Sequence, residues 1–407
     1  MNLLVSHQAA QRLEQLRQRT DLLADRDGYV MDASPSTTAA FDHLIDVDQV
    51  RHAQGFFATY GLPITAALLY KALPDSYAAA RGAQVLGLTG ELVSAPDRRV
   101  RRTAQFLITM MTPASADRQS GRTTTLHPGR PGAIAARQLR VVHGGVRDYV
   151  TGECQHRWAA KEKYFTQVDP NGPALGKPLN QEDLIGMLHE FSVGVFESLD
   201  VLGVPYRADD KAAWFHVWNV VGCHMGIGTD DAWRKGGQPA TIHPDCAFAL
   251  PLDPAASAET LALIRKRHWM ASFEGSILVN ALLADLERVL PRGLKPFPAA
   301  LMRYLLGEDT ANMLGISRGG WLQQALLTAN SARWVADAIR TRRRGAVVRF
   351  TTSELSAMAT QRVLQSYLDE AGQGGPPFEL SSSFRNSWGI ASRREPEPMM
   401  PSFAIEG

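Results

Sequence analysis

The chain has 407 residues, 45% of them hydrophobic, and 43 Lys plus Arg against 41 Asp plus Glu, a formal net charge of +2. That composition supports a large buried core and excludes a disordered or fibrous chain. The balanced charge excludes a general pull toward nucleic acid or anionic membrane, so any electrostatic function is local.

The amino-terminal stretch MNLLVSHQAAQRLEQLRQRTD places Leu13, Leu16 and Leu22 at helical spacing but shows no basic n-region followed by an apolar core. Arg17 and Arg19 are not a twin-arginine pair, and export is not expected. The apolar run from Leu62 to Leu73 is interrupted by Lys71. It falls short of the roughly 18–20 apolar residues that cross a bilayer, so no transmembrane segment is expected. In Asp97 to Phe106, DRRVRRTAQF, residues Arg99, Arg102 and Thr103 follow at i, i+3 and i+4 and share one helical face. Arg98 and Arg101 read as solvated surface, since no aromatic or Gly-rich interleaving suggests nucleic acid.

Two stretches dense in Pro, Gly, Ser and Thr, Thr112 to Pro131 and Val168 to Pro178, predict long surface loops. Helical periodicity resumes over Asp183 to Leu202 and Ala256 to Leu290, with a third loop predicted from Gly226 to Pro251. From Gly372 onward periodicity fades, and this tail is expected to wrap the surface or stay mobile. Alternating strand patterns are nearly absent. The expectation is an all-α fold: a single helical domain over residues 40–345, an amino-terminal helical extension over 1–39, and a carboxy-terminal helix and irregular tail over 346–407. Three scattered cysteines, Cys154, Cys223 and Cys246, fit buried thiols of a reducing cytosol rather than a disulfide framework, and the chain reads as cytoplasmic.

The segment Ala135 to Val150, AARQLRVVHGGVRDYV, reads as a helix that places Gly144 and Gly145 in its middle, at about 1 kcal/mol each relative to alanine. Two glycines after a histidine clear the helix surface, so a flat, bulky ligand can approach the backbone beside the imidazole. Arg140 and Arg147, at i−3 and i+4 from His143, put three basic groups on one face. Neutral His143 could ligate a metal while an arginine pairs with a carboxylate, but the spacing alone favours a partly exposed basic helix. Trp214 to Gly228, WFHVWNVVGCHMGIG, places His216 and His224 eight residues apart, too far for a zinc-peptidase pair, and both read as core histidines. No nucleophile elbow, phosphate-binding loop or dinucleotide fingerprint occurs.

In order along the chain, LPDSYAAARGAQVLGLTGEL (73–92), the Arg99/Arg102/Thr103 cluster, RVVHGGVR (140–147), LNQEDLIGMLHEFSVGVFESLDVLGV, AWFHVWNVVGCHMGIG and LMRYLLGEDTANMLGIS resemble the family of latex clearing proteins (rubber oxygenases) and MpaB oxygenases. The resemblance implies a helical core with a globin-like arrangement and a haem b whose iron is held by His143. Arg140, Arg147, Gly144 and Gly145 would lie against the cofactor, with Arg99, Arg102 and Thr103 on its distal side. It further implies dioxygen and a lipophilic, olefinic or isoprenoid small molecule as reactants, with no nucleic acid involved. Two positions depart from the family pattern. A lysine that can cap the iron is replaced by Arg102, whose guanidinium stays protonated and cannot ligate. The distal glutamate base falls at Ala83 or Gln84, and a glutamine cannot take a proton. These departures leave two other expectations beside an oxygenase: a haem-dependent tailoring oxidase or peroxygenase, and a non-catalytic haem- or lipophile-binding protein on the same scaffold.

Overall fold

A computed structural model describes residues 3–19, 45–90, 94–113, 123–227, 253–292, 295–318 and 344–391. Cys246, most of the loop expected over 226–251, and the last part of the tail lie outside them. Within the described residues the fold is all-α, as expected. The only paired extended backbone there is an isolated antiparallel bridge between Ala79 and Trp269.

Helix α1 (Leu3–Arg17) is followed by α2 (Val47–Ala67), a π-helical turn Leu68–Ala72, α3 (Leu73–Ala78), α4 (Ala80–Thr89) and α5 (Pro96–Met111). Next come α6 (Pro131–Thr151), α7 (Gln155–Val168), α8 (Gln181–His189), a second π-helical turn Glu190–Gly194, α9 (Val195–Leu202) and α10 (Ala208–His224). The chain continues with α11 (Pro254–His268), α12 (Phe273–Arg288), α13 (Phe297–Leu306), α14 (Glu308–Met313), α15 (Arg344–Gly372) and α16 (Ser382–Ser387). The periodic stretch Ala256 to Leu290 is thus two helices rather than one. Trp269 adopts extended backbone, and the Ser272 hydroxyl then caps α12 by accepting from the Gly275 amide.

The core is organised around α2, which Asp46 caps by accepting from the amides of Asp48 and Gln49. Pro63 cannot donate within the helix, and the backbone leaves helical geometry at Tyr60, kinking α2. Helices α10 and α15 lie along it. The run Val47–Ala78 is 32 residues long and apolar enough to span a bilayer by length and composition, which the sequence reading did not anticipate. Here 72% of its apolar stretch is covered by other helices, as in a core helix. The carboxy-terminal segment is docked as far as it is described. Phe384 and Trp388 stack with ring centroids 4.8 Å apart, Trp388 donates to the Ala58 carbonyl at 3.1 Å, and its ring occupies the space a side chain at Gly61 would fill.

Both π-helical turns carry a charge into the interior. A π turn inserts one extra residue and so re-aims the side chains that follow. The two turns pack on each other, bringing Lys71 and Glu190 to a cluster completed by Asp75, Glu197 and Arg265. Arg265 donates to both Glu190 oxygens at 3.0 and 2.8 Å, to Glu197 at 2.8 and 3.0 Å, and to Asp75 at 3.2 Å. Lys71 reaches Asp75 at 2.7 Å and Glu197 at 3.2 Å. Burial, with the Asp75 charge beside it, pushes the Glu190 carboxyl up to about 8 despite Arg265.

Because the folded value lies above the ordinary 4.5, the stability tied to Glu190's proton is full below pH 4.5 and is lost as pH rises toward 8. Glu190→Gln is therefore expected to flatten the pH dependence of urea unfolding between pH 4.5 and 8. Arg265→Met, which strands buried carboxylates, should cost about 3–5 kcal/mol at pH 7 in the same measurement.

Candidate functional site

The site forms where α5 and α6 pack on each other, with α10 also laid against α6. Both α5 and α6 begin with proline in the first turn, where its missing N–H costs nothing. The inward arc of α6 carries Ala136, Gly144, Arg147 and Val150, all buried. At 100° per residue, His143 falls within that arc and is half-buried, as is Arg140 one turn before it, between the buried Ala136, Gly144 and Arg147. This partly accessible surface beside His143 is the candidate recess.

His143 makes no hydrogen bond to any described residue. Burial, then the charges of Arg99 and Arg147, lower its pKa to about 4, so the imidazole is neutral at physiological pH. The Arg99 guanidinium, from α5, is therefore near enough for its charge to act on the imidazole. Arg99 also acts on Tyr77 of α3, a buried phenol that burial pushes up to about 12 while the Arg99 charge pulls it back. Thr103, one turn beyond Arg99, donates its hydroxyl to the Arg99 carbonyl at 3.1 Å and keeps its oxygen lone pairs as acceptors. Phe106 continues this flank, its ring 6.4 Å from that of Trp218 on α10. Trp218 in turn lies 4.8 Å from Phe191, so the wall beyond Thr103 is aromatic.

The other residues singled out in the sequence divide. Arg102 is exposed, unlike the half-buried Arg99 and Thr103 of the same helix. Arg147 is buried and donates to the carbonyls of Pro178 at 3.3 Å and Leu179 at 3.2 Å, so it ties the loop after α7 to the histidine helix. Leu179 is held there at φ 50°, a left-handed conformation that costs a non-glycine residue about 1–2 kcal/mol. Arg140 is half-buried and sits close to Arg137, whose pKa is lowered by burial and then by the Arg140 charge. Sequence reading missed Arg137, although its place one turn before Arg140 was a usable signal. Gly144 is buried and Gly145 exposed, so the two glycines face different sides.

Gln84 is buried and donates through its amide to the Ala80 carbonyl at 2.8 Å and to Glu274 at 3.1 Å. Glu274 also pairs with Lys161. Burial opposes its ionisation, but the bonds from Lys161 and Gln84 outweigh that and hold its pKa below the usual range. His216 serves α2 by accepting from the Asp46 amide at 3.0 Å, and His224 is buried with its Nε2 2.7 Å from the Leu126 carbonyl. Arg101, read as surface, is 1% exposed: its guanidinium lies 4.6 Å over the Tyr367 ring and donates to the Tyr367 carbonyl at 2.9 Å. The sequence reading of Arg101 is thereby corrected: besides Asp97, four residues before it at 3.8 Å, the partners that bury it lie 266 or more residues away.

Among the described residues no three His, Cys, Asp or Glu side chains gather into a metal centre. His143 fits a different role, that of the single protein ligand to a metal whose remaining ligands come with a macrocycle. It is neutral, without a competing hydrogen bond, and next to two positions without side chains.

Residues 51–341 match the family described as ER-bound oxygenase mpaB/B′/rubber oxygenase, catalytic domain. The chain is similar to the rubber oxygenase of Streptomyces sp. (strain K30), 29% identical over 158 residues, which are 37% of this chain and 33% of that one. The match therefore spans about a third of that relative's length. In three dimensions the chain resembles latex clearing protein in the closed state, with a TM-score of 0.53 and 19% identity over 77% of this chain and 74% of that one, a likeness of fold. With the family match extending over most of its length, the chain belongs to the mpaB/B′ and rubber oxygenase catalytic-domain family.

Proposed function

We propose that this protein is a haem b-dependent oxygenase of lipophilic, olefinic or isoprenoid small molecules, acting in the cytoplasm, with His143 as the proximal iron ligand. The observation that carries this reading is the neutral His143 ring, inward-facing and free of hydrogen bonds, with the Arg99 guanidinium nearby and Thr103 one turn beyond it. Family membership supports the oxygenase class, and the relative's name points to polyisoprene as one chemistry on this scaffold. The haem would bind and activate dioxygen.

The protein's own residues do the rest. His143 remains neutral because burial and two nearby guanidiniums oppose its protonation, so a lone pair is available at neutral pH. Arg99 offers fixed positive charge and donors to negative charge developing in the recess. Thr103 accepts a proton-bearing group beside it. Phe106 and Trp218 provide an apolar wall on which an olefin or hydrocarbon chain can lie. Arg140 on the histidine helix would face a carboxylate of the cofactor, while Arg147 donates to the carbonyls of Pro178 and Leu179. Arg102 is exposed and cannot ligate, which leaves the distal side open or water-filled. Gln84 donates to Glu274 and takes no proton, so the reaction proceeds without a carboxylate base at that position.

Visible spectra of freshly purified protein, oxidised, reduced and with carbon monoxide, test this directly. A Soret band with about one haem b per chain by pyridine haemochrome is expected, converting fully to the carbon monoxide form. A colourless protein after expression with ample haem would reject the reading. His143→Ala is expected to lose the haem, and retention at full stoichiometry would reject the ligand assignment. Arg99→Leu should keep the haem and lower turnover of an olefinic substrate by about 10²–10³-fold.

A further inference from the structure

Helix α5 is held on two sides. Successive helical residues turn by 100°, so Arg101 projects from the side of α5 opposite to both Arg99 and Thr103. Arg99 and Thr103 flank the recess. Arg101 is 1% exposed and enters a cluster built by the carboxy-terminal helix α15 and by α12. Its guanidinium stacks on the Tyr367 ring, donates to the carbonyls of Tyr367 and Pro376 at 2.9 and 3.5 Å, and pairs with Glu370. Tyr367 donates its hydroxyl to Asp285 of α12 at 2.9 Å, and Arg288 of α12 closes the ring by bonding Glu370 at 2.7 Å and Asp285 at 3.2 Å. Helix α12 packs in turn on α3, α4 and α5, which carry Tyr77, Gln84 and Arg99. Tyr367, Glu370 and Pro376 all lie beyond residue 341, where the family match ends.

We propose that Arg101 is a positioning residue, through which the carboxy-terminal helix α15 sets the rotation of α5 and thereby the aim of Arg99 and Thr103 at the His143 recess. This rests on the proposed function above for what the recess holds. The lever is short: a rotation of ~20° displaces an atom about 6 Å from the helix axis by ~2 Å, enough to make or break a hydrogen bond. The carboxy-terminal helix then acts on the recess through Arg101.

The test uses the full-length protein and two variants, Arg101→Met and Tyr367→Phe, the second keeping the ring under Arg101 while releasing Asp285. Arg98→Ala, an exposed residue of the same helix, is the control. The primary readout is the infrared C–O stretch of the carbon monoxide complex, which senses distal charge and which a loss of global stability alone does not move. Arg101→Met is expected to shift the band in the same direction as Arg99→Leu, and Tyr367→Phe to shift it less. Haem content should stay near one per chain and the Arg98→Ala band should stay unmoved. Variants that unfold at lower temperature but keep the wild-type band overturn the proposal and leave Arg101 a structural tie only. If Arg101→Met fails to fold, the Tyr367→Phe band decides alone. An unmoved band in Arg99→Leu counts against Arg99 in the recess, and a protein that takes up no haem counts against the proposed function. In either of those cases, hydrogen exchange of residues 96–111 decides the mechanical link: faster exchange in Tyr367→Phe sustains it, and unchanged exchange overturns it.

Discussion

A guanidinium taken out of water must be met by acceptors on several sides, because an unpaired buried charge costs several kcal/mol. Among the described residues five arginines are in this position: Arg17, Arg81, Arg101, Arg147 and Arg303. Each ties its helix to other segments of the chain. Arg17 of α1 bonds the carbonyls of Ala174 and Leu175 and pairs with Glu182 and Asp183. Arg81 reaches Asp169 at 2.8 Å while stacking on Phe165. Arg303 joins α13 to the Ile316 carbonyl and to Asn312. A helical protein lacks cross-strand ladders, so side chains with five donors take over the task of fixing loops and helix ends.

The same device shapes the candidate site. The loop between α7 and α8 touches Arg17 from α1, Arg81 from α4 and Arg147 from the histidine helix. With Leu179 held in a left-handed conformation at its end, that loop has little freedom beside α6. His143 gains a fixed surrounding in which two positive charges and burial keep it neutral. The surroundings of His143 therefore depend on arginines drawn from several helices.

The buried cluster around Arg265 is a second, denser case of the same rule. Three carboxylates and two cations meet where the two π-helical turns cross, and Glu190 resolves the excess of negative charge by holding a proton more tightly. The widened turns allow Lys71 and Glu190 to reach one another's surroundings, which regular α-helix would aim elsewhere.

The all-α class and the loop after α7 were legible in the sequence, because they depend on local spacing: apolar residues every three or four positions, and clusters of Pro and Gly. His143, Arg99 and Thr103 were singled out as candidates by helical spacing and by the family resemblance. Where the information is not local, the sequence was silent. Nothing in DRRVRRTAQF distinguishes Arg98, which is exposed, from Arg101, which is buried, since the difference lies in Tyr367 and Glu370 at the far end of the chain. The pairing of Gln84 with Glu274, the break at Trp269 and the docking of Trp388 on Gly61 have the same origin. The sequence by itself determined that the chain is helical and which residues share a helical face. The tertiary structure decided which charges are buried and what meets them, because a buried charge is stabilised by whatever the fold brings to it, and that is set by helix packing across hundreds of residues.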